Sequence, residues 1–228
     1  MAKKEILRVK GDIKTTYAKL SKIYAILEGR FEKKLREKGL ALLAIQKGET
    51  VLEIGFGTGY SLVEIVKSIG KRGKAYGIDL TPGMVKLAQR RLAKEKLIKR
   101  AELYEGDARE MPYENNQFDA VYMASTLELF DTPDIPIVLA EIKRVLKPNG
   151  RLGVISMPKE GYEDSIVLGF YEWIYRTFPK YASCRPIYIE ESVRGAVFEI
   201  IKTGEIKLAK LFPMKIVVAK PANGQAKV

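Results

Sequence analysis

The feature that most constrains this chain is Glu53-Ile54-Gly55-Phe56-Gly57-Thr58-Gly59. It follows the short apolar run Val51–Ile54 and precedes Leu62, Val63, Ile65, Val66 and Ile69, which recur at helical spacing. Strand, glycine turn and helix in direct succession bring backbone close to a ligand and start a helix beside it. Asp79 ends the next strand-like run, Ala75–Asp79, about twenty residues on, where a carboxylate takes ribose hydroxyls. A ligand containing a nucleoside is the first expectation; a tight turn with no ligand is the plain alternative.

Two details narrow the ligand. The dinucleotide fingerprint needs a small residue at position 60, and Tyr60 stands there. Glu53 would repel a pyrophosphate and attract a sulfonium or ammonium. S-adenosylmethionine carries a positive charge and no phosphate, so the charge pattern favours it over a nicotinamide dinucleotide.

The rest of the chain extends this pattern. Thr81 is placed to cap a helix that Pro82 begins. Further strands are expected at Ala101–Asp107, Phe118–Ser125 and Arg151–Pro158, with a helix over Asp134–Leu146 stopped by Pro148-Asn149-Gly150. Strands alternating with helices predict an α/β fold, a Rossmann-like doubly wound sheet, mostly parallel. Helices at Ser165–Thr177 and Glu190–Val197 precede strands at Phe198–Thr203 and Met214–Ala219, read as an antiparallel C-terminal edge hairpin. Ahead of the core, Leu20, Ile23, Tyr24, Leu27, Phe31 and Leu35 suggest two helices broken near Gly29. One domain spans 1–228: an N-terminal helical cap (1–46), a core (47–158), a lid (159–197), C-terminal strands (198–220) and a flexible tail (221–228).

Composition removes whole classes of chemistry. There is no histidine and one cysteine, Cys184, which excludes Ser-His-Asp triads, His or Cys zinc sites and internal disulfides. No metal site is expected, and a reducing, cytoplasmic setting is. The longest stretch without charge, Ile54–Val63, is too short to span a membrane, and MAKKEILRVKGD does not read as a secretory signal. Asn and Gln, four of each, are scarce against abundant charge, a pattern that suits a heat-adapted source. The net charge of +12 raises nucleic acid or an anionic surface as partner. Lys86, Arg90, Arg91, Lys94, Lys96, Lys99 and Arg100 form its densest cluster, which is also what the wet face of an amphipathic helix looks like.

Here the chain resembles a known family. VLEIGFGTG is similar to the first motif of class I S-adenosylmethionine-dependent methyltransferases, and GIDLTPGMV (Gly77–Val85) to the second. Glu105–Leu129 resembles the third and fourth, and Arg144–Ser156 the fifth. Within the superfamily the chain is most similar to the small-molecule branch that includes the ubiquinone and menaquinone C-methyltransferases. The resemblance implies that Glu53, Gly55, Gly57 and Gly59 line the methionine end of S-adenosyl-L-methionine. It implies further that Asp79 holds the ribose, Leu80 packs on adenine, Asp107 takes the adenine amino group and Ala108 lies beside it. Asp107 could instead cap the following turn, and Ser125 and Thr126, on the expected cofactor side, could instead cap a helix.

Methyl transfer from a sulfonium needs little from the protein beyond alignment and exclusion of water, so the lack of histidine is tolerable. Carbon methylation of a phenol or quinol wants a nearby base, for which Tyr17, Tyr24, Glu128 and Asp131 are candidates by position. Tyr162, Phe170, Tyr171, Trp173, Tyr175, Phe178 and Tyr181 crowd the segment after the fifth strand. They read either as an aromatic lid, with Tyr171 and Trp173 at a pocket for a small acceptor, or as a helix packed on the sheet. Two alternatives stay open. An RNA or ribosome methyltransferase would use the +12 charge, although the Asn/Asp-Pro-Pro-aromatic turn for amino nitrogens is replaced by Met123–Thr126. A cofactor-binding regulator is the other.

Overall fold

Period-two strands with apolar residues on both sides need cover on two faces, and the helices supply it. The computed structural model describes residues 33–177, 184–208 and 211–222. In β1 (Thr50–Ile54), Leu52 and Ile54 enter one apolar cluster and Val51 enters another on the opposite face. β4 (Phe118–Ala124) divides the same way, Val121 and Met123 against Ala120 and Tyr122. β2 (Lys74–Asp79) and β3 (Ala101–Glu105) continue the parallel sheet on one side of β1, and β5 (Leu146–Ser156) on the far side of β4.

The order across the sheet is β3-β2-β1-β4-β5-β7-β6. β7 (Phe212–Pro221) runs antiparallel between β5 and β6 (Phe198–Leu208), as expected of the C-terminal hairpin. One face is covered by α1 (Lys33–Leu43), α2 (Tyr60–Ser68) and α3 (Pro82–Lys94), through residues such as Leu35, Leu62 and Leu92. The other is covered by α4 (Ile135–Val145) and α6 (Ile189–Gly195), through Val138, Ile142 and Val193. The chain reverses direction across the sheet between β1 and β4, so a crevice opens at their carboxyl ends.

Two local expectations need correcting. β5 starts at Leu146, not Arg151, because the pairing with β4 shifts between Phe118 and Ala120 and absorbs Pro148-Asn149-Gly150 as an irregularity. Thr81 sits at the first position before α3 but makes no side-chain cap; its amide donates to the Asp79 carboxylate instead. Of the two helices expected at the N-terminus, the second agrees with the helix Lys33–Leu43, while the first and the break near Gly29 lie outside the described residues. Among the described residues no helix is long and apolar enough to cross a membrane, and no group of acidic or cysteine residues could hold a metal.

α1 lies close on the sheet because Gly39 has no side chain: a Cβ there would come 2.4 Å from Ile155 Cδ1 and 3.0 Å from the Tyr122 hydroxyl. Gly39→Val is expected to cost about 1–3 kcal/mol by overpacking this contact, measured by denaturant unfolding. Undiminished stability would show that α1 sits farther from β4 and β5 than described.

Candidate active site

The turn after β1 is built on three glycines with left-handed backbone, Gly55, Gly57 and Gly59, at φ 66°, 52° and 82°. Other residues enter that region only at a cost. Gly55 could not carry a side chain in any case, since its Cβ would fall 2.4 Å from Thr126 Cγ2. Gly59 donates to the Phe56 carbonyl at 2.9 Å and forms the start of α2, which has no side-chain cap and no acid in its first turn. The first amides of α2 therefore keep their donor capacity at the mouth of the crevice.

Asp79 anchors this turn. Its Oδ2 accepts the Gly57 amide at 3.0 Å and its Oδ1 accepts the Thr81 amide at 2.9 Å. Burial pushes the carboxyl above the ordinary carboxylate range, against the pull of the Thr81 and Gly57 amides. Each oxygen retains a second lone pair, so the group can brace the loop and still accept from a vicinal diol. Glu53 is buried beneath the turn, one residue before its apolar neighbour Ile54. Leu80, 41% exposed, offers an aliphatic surface beyond Asp79.

Sequence reasoning missed the arginines around the turn. Tyr60 lies under the Arg91 guanidinium at 3.3 Å and near that of Arg36 at 4.9 Å, while Arg91 Nε donates to the Thr58 carbonyl at 2.8 Å. These contacts join α1, α2 and α3 at the loop. Aromatic–cation pairs between separate helices leave no local pattern in a sequence.

Asp107 is half-buried and held by its neighbour. Arg109 donates its amide to Oδ1 at 2.9 Å and Nη2 to Oδ2 at 2.7 Å, and its Nη1 reaches Asp134 at 2.7 Å. Burial alone would raise the Asp107 carboxyl, but the Arg109 hydrogen bonds and charge leave it below the usual range. The turn-capping contact and the carboxylate are thus both present. Ala108 is buried in the core beside Met111.

On the other side of the glycine turn runs the segment after β4. Ser125 is half-buried with φ 50°, and its amide donates to the Ile155 carbonyl at 2.9 Å. The Thr126 hydroxyl reaches the Gly55 carbonyl at 3.5 Å. Glu128 is fully buried and accepts from Ser156 Oγ at 2.8 Å, whereas Asp131 is only half-buried. Tyr17 and Tyr24 lie outside the described residues.

The aromatic segment forms α5 (Ile166–Thr177), with Leu168 and Tyr175 buried inward. Tyr171 packs edge-on to Phe212 at 5.4 Å. Trp173 stacks on Phe170 at 5.7 Å and both face outward, 53% and 61% exposed, so Tyr171 and Trp173 do not share one face. Phe178 and Tyr181 lie outside the described residues.

A family profile described as "Methyltransferase domain" matches residues 51–150. Demethylmenaquinone methyltransferase of Lactobacillus johnsonii is 33% identical over 147 residues, 64% of this chain and 59% of that protein. The same enzyme of Bacillus pumilus is 30% identical over 162 residues, 68% of each chain. The chain spans about three fifths of the length of the first such relatives. Among solved structures, a SAM-dependent methyltransferase from Aquifex aeolicus matches with a TM-score of 0.68 and 24% identity, over 89% of this chain and 98% of that one. A complex of the Haloferax volcanii Trm112 methyltransferase activator with a methyltransferase matches with a TM-score of 0.75 and 19% identity, over 94% and 99%. These structural likenesses carry the fold.

Asp79→Ala is expected to weaken cofactor binding by about 1.5–3 kcal/mol and, by orphaning the Gly57 and Thr81 amides, to lower folding stability by about 1–3 kcal/mol. The two effects have opposite pH dependence. A raised folded pKa favours the fold at low pH, a contribution lost as pH rises through that value; ribose binding needs the ionised form and weakens as pH falls through it. Calorimetry across pH, with unfolding in parallel, checks both; unchanged affinity in a folded variant would remove Asp79 from the site.

Proposed function

Since the chain belongs to the class I S-adenosylmethionine-dependent methyltransferases, in the branch of the demethylmenaquinone methyltransferases, we propose that it methylates a small aromatic acceptor of quinol type at carbon. The cofactor half of this reading is carried by the charge at the loop, a buried carboxylate, Glu53, beneath a turn that brings no lysine to meet a phosphate; the acceptor half is supported by the likeness to the demethylmenaquinone methyltransferases. When bound, S-adenosylmethionine supplies an electrophilic methyl group and leaves as a neutral thioether. Glu53 and the Gly55–Gly59 backbone would hold its amino-acid end, Asp79 its ribose, and Leu80, Asp107 and Ala108 its base. The residues present fit such a group, because Asp79 keeps acceptor capacity and α2 keeps bare amides.

On the acceptor side, a ring carbon becomes nucleophilic once its hydroxyl gives up a proton. Asp131 suits that task better than Glu128, because Glu128 has no accessible surface. We place the acceptor between the loop after β4 and the inward face of α5, with Tyr171 on its wall and Trp173 on the outer side. The protein itself aligns acceptor and methyl and excludes water, which asks for no histidine. A reducing, cytosolic setting suits the single Cys184.

The basic cluster does not support an RNA substrate as well. Arg91 turns inward to Thr58 and Tyr60, and Arg100 donates to the Val66 and Gly70 carbonyls at the end of α2. The exposed remainder, Lys86, Arg90, Lys94, Lys96 and Lys99, follows the outer side of α3 and the turn after it.

Incubation with radiolabelled S-adenosylmethionine and cell extract, split into lipid, small-molecule, protein and RNA fractions, is expected to label lipid or small molecules. Reversing charge at Arg90 and Lys94 should leave that labelling intact, while Asp131→Asn should lower kcat more than it raises KM. Label in RNA that disappears on charge reversal would overturn the proposal.

A further inference from the structure

We propose that Arg185 and Glu128 are positioning residues for the loop after β4, and that through this loop they set the turn that faces the cofactor; this rests on reading the glycine turn as the S-adenosylmethionine site. Both side chains are completely buried, and Arg185 is the largest fully buried side chain among the described residues. A guanidinium cannot shed its charge to relieve burial, and taking an ion out of water costs several kcal/mol. An apolar residue would fill the same space without that cost, so the charge needs a use.

Its use is visible in what the two groups touch. Arg185 Nη2 donates to the Phe130 carbonyl at 2.7 Å, and Glu128 Oε2 accepts from Ser156 Oγ at 2.8 Å. Both contacts hold the same short segment, which runs through the turn Leu127–Leu129. Each anchor is itself fixed at the end of β5. Ser156 closes that strand, and the Arg185 segment is tied to the chain just beyond it by Ile187 N to Met157 O at 3.0 Å and Lys159 N to Ile187 O at 2.8 Å.

The segment needs such holding. Ser125 occupies the left-handed region at φ 50°, a state that costs a residue with a side chain about 1–2 kcal/mol and persists only where the surroundings impose it. Next to it, Thr126 fills the space above Gly55 so closely that a Cβ on Gly55 would meet its Cγ2 at 2.4 Å. A displacement of Phe130 or Glu128 therefore travels over a few residues to Thr126 and from there to the glycine turn. Arg185 lies 130 positions from Gly55 in the chain, yet only this short relay separates them in space.

The test uses the full chain, S-adenosylhomocysteine as probe, and amide hydrogen exchange at residues 126–130. Arg185→Met is expected to weaken S-adenosylhomocysteine binding about 2–30-fold and to speed exchange at 126–130, with β2 and β3 unaffected. Arg185→Lys should recover part of both, because an ammonium can still donate to the Phe130 carbonyl. Glu128→Ala should act like Arg185→Met, and Glu128→Gln, which keeps an acceptor for Ser156, should recover. Wild-type affinity and exchange in a folded Arg185→Met variant would overturn the proposal. Exchange speeded evenly across the sheet, with Arg185→Lys no better than Arg185→Met, would overturn it too, since that marks plain packing. The exchange measurement needs no ligand, so a wild-type chain that fails to bind the probe counts against the proposed function and leaves the brace to be judged by exchange.

Discussion

The Asp79 carboxylate, accepting the Gly57 amide on one oxygen and the Thr81 amide on the other, ties the end of β2 to the turn after β1. Everything at the crevice is referred to this tie. It holds three left-handed glycines at alternate positions in place and fixes where α3 begins. Through Gly55 it meets the loop after β4. The carboxylate is also the group a ribose would need, so under the proposed function one side chain would both order the turn and recognise the ligand. Burial makes its ionised form costly, and the two amides are what hold that cost down.

A second organising theme is the distribution of charge. The chain carries a net +12, yet the buried charged groups around the crevice include three carboxylates, Glu53, Asp79 and Glu128, beside Arg36 at the glycine turn and Arg185 next to the loop after β4. Part of the basic surplus is structural: Arg100 ties the end of α2 to the residues before β3, Arg144 grips Glu141 and the Met111 and Tyr113 carbonyls, and Arg151 holds the end of α1 through the Leu43 carbonyl and Glu49. Arginine suits such roles because its planar fork satisfies several acceptors at once. The positive charge of this protein therefore speaks as much of internal bracing as of an anionic partner.

How much of this could be read in advance follows from range along the chain. Strand, turn and helix around Gly55 are contiguous, and Asp79 follows at a fixed interval, so periodicity and spacing disclose them. The two-faced burial of β1 and β4 is equally local, because alternation records it. Thr81 misled because a threonine just before a proline-led helix looks like a side-chain cap, whereas it is the Thr81 amide that serves, bonding the Asp79 carboxylate. Trp173 stayed open in the sequence for a related reason: helical spacing shows that α5 has apolar residues on several sides without showing which side meets the sheet. Arg185 left no trace at all. Its partner carbonyl is 55 positions away, and a lone arginine after a cysteine looks like any surface residue until burial is known.

Under the proposed function, the turn from Glu53 to Gly59 is already shaped for a sulfonium nucleoside. A crystal structure of the chain with S-adenosylhomocysteine tests it most directly. The expected structure has ribose hydroxyls on Asp79, the amino-acid end against Gly55–Gly59, and those glycines still in the left-handed region with Asp79 still accepting the Gly57 amide. A ligand bound elsewhere, or a turn that must refold and release Asp79 to admit it, would contradict the account.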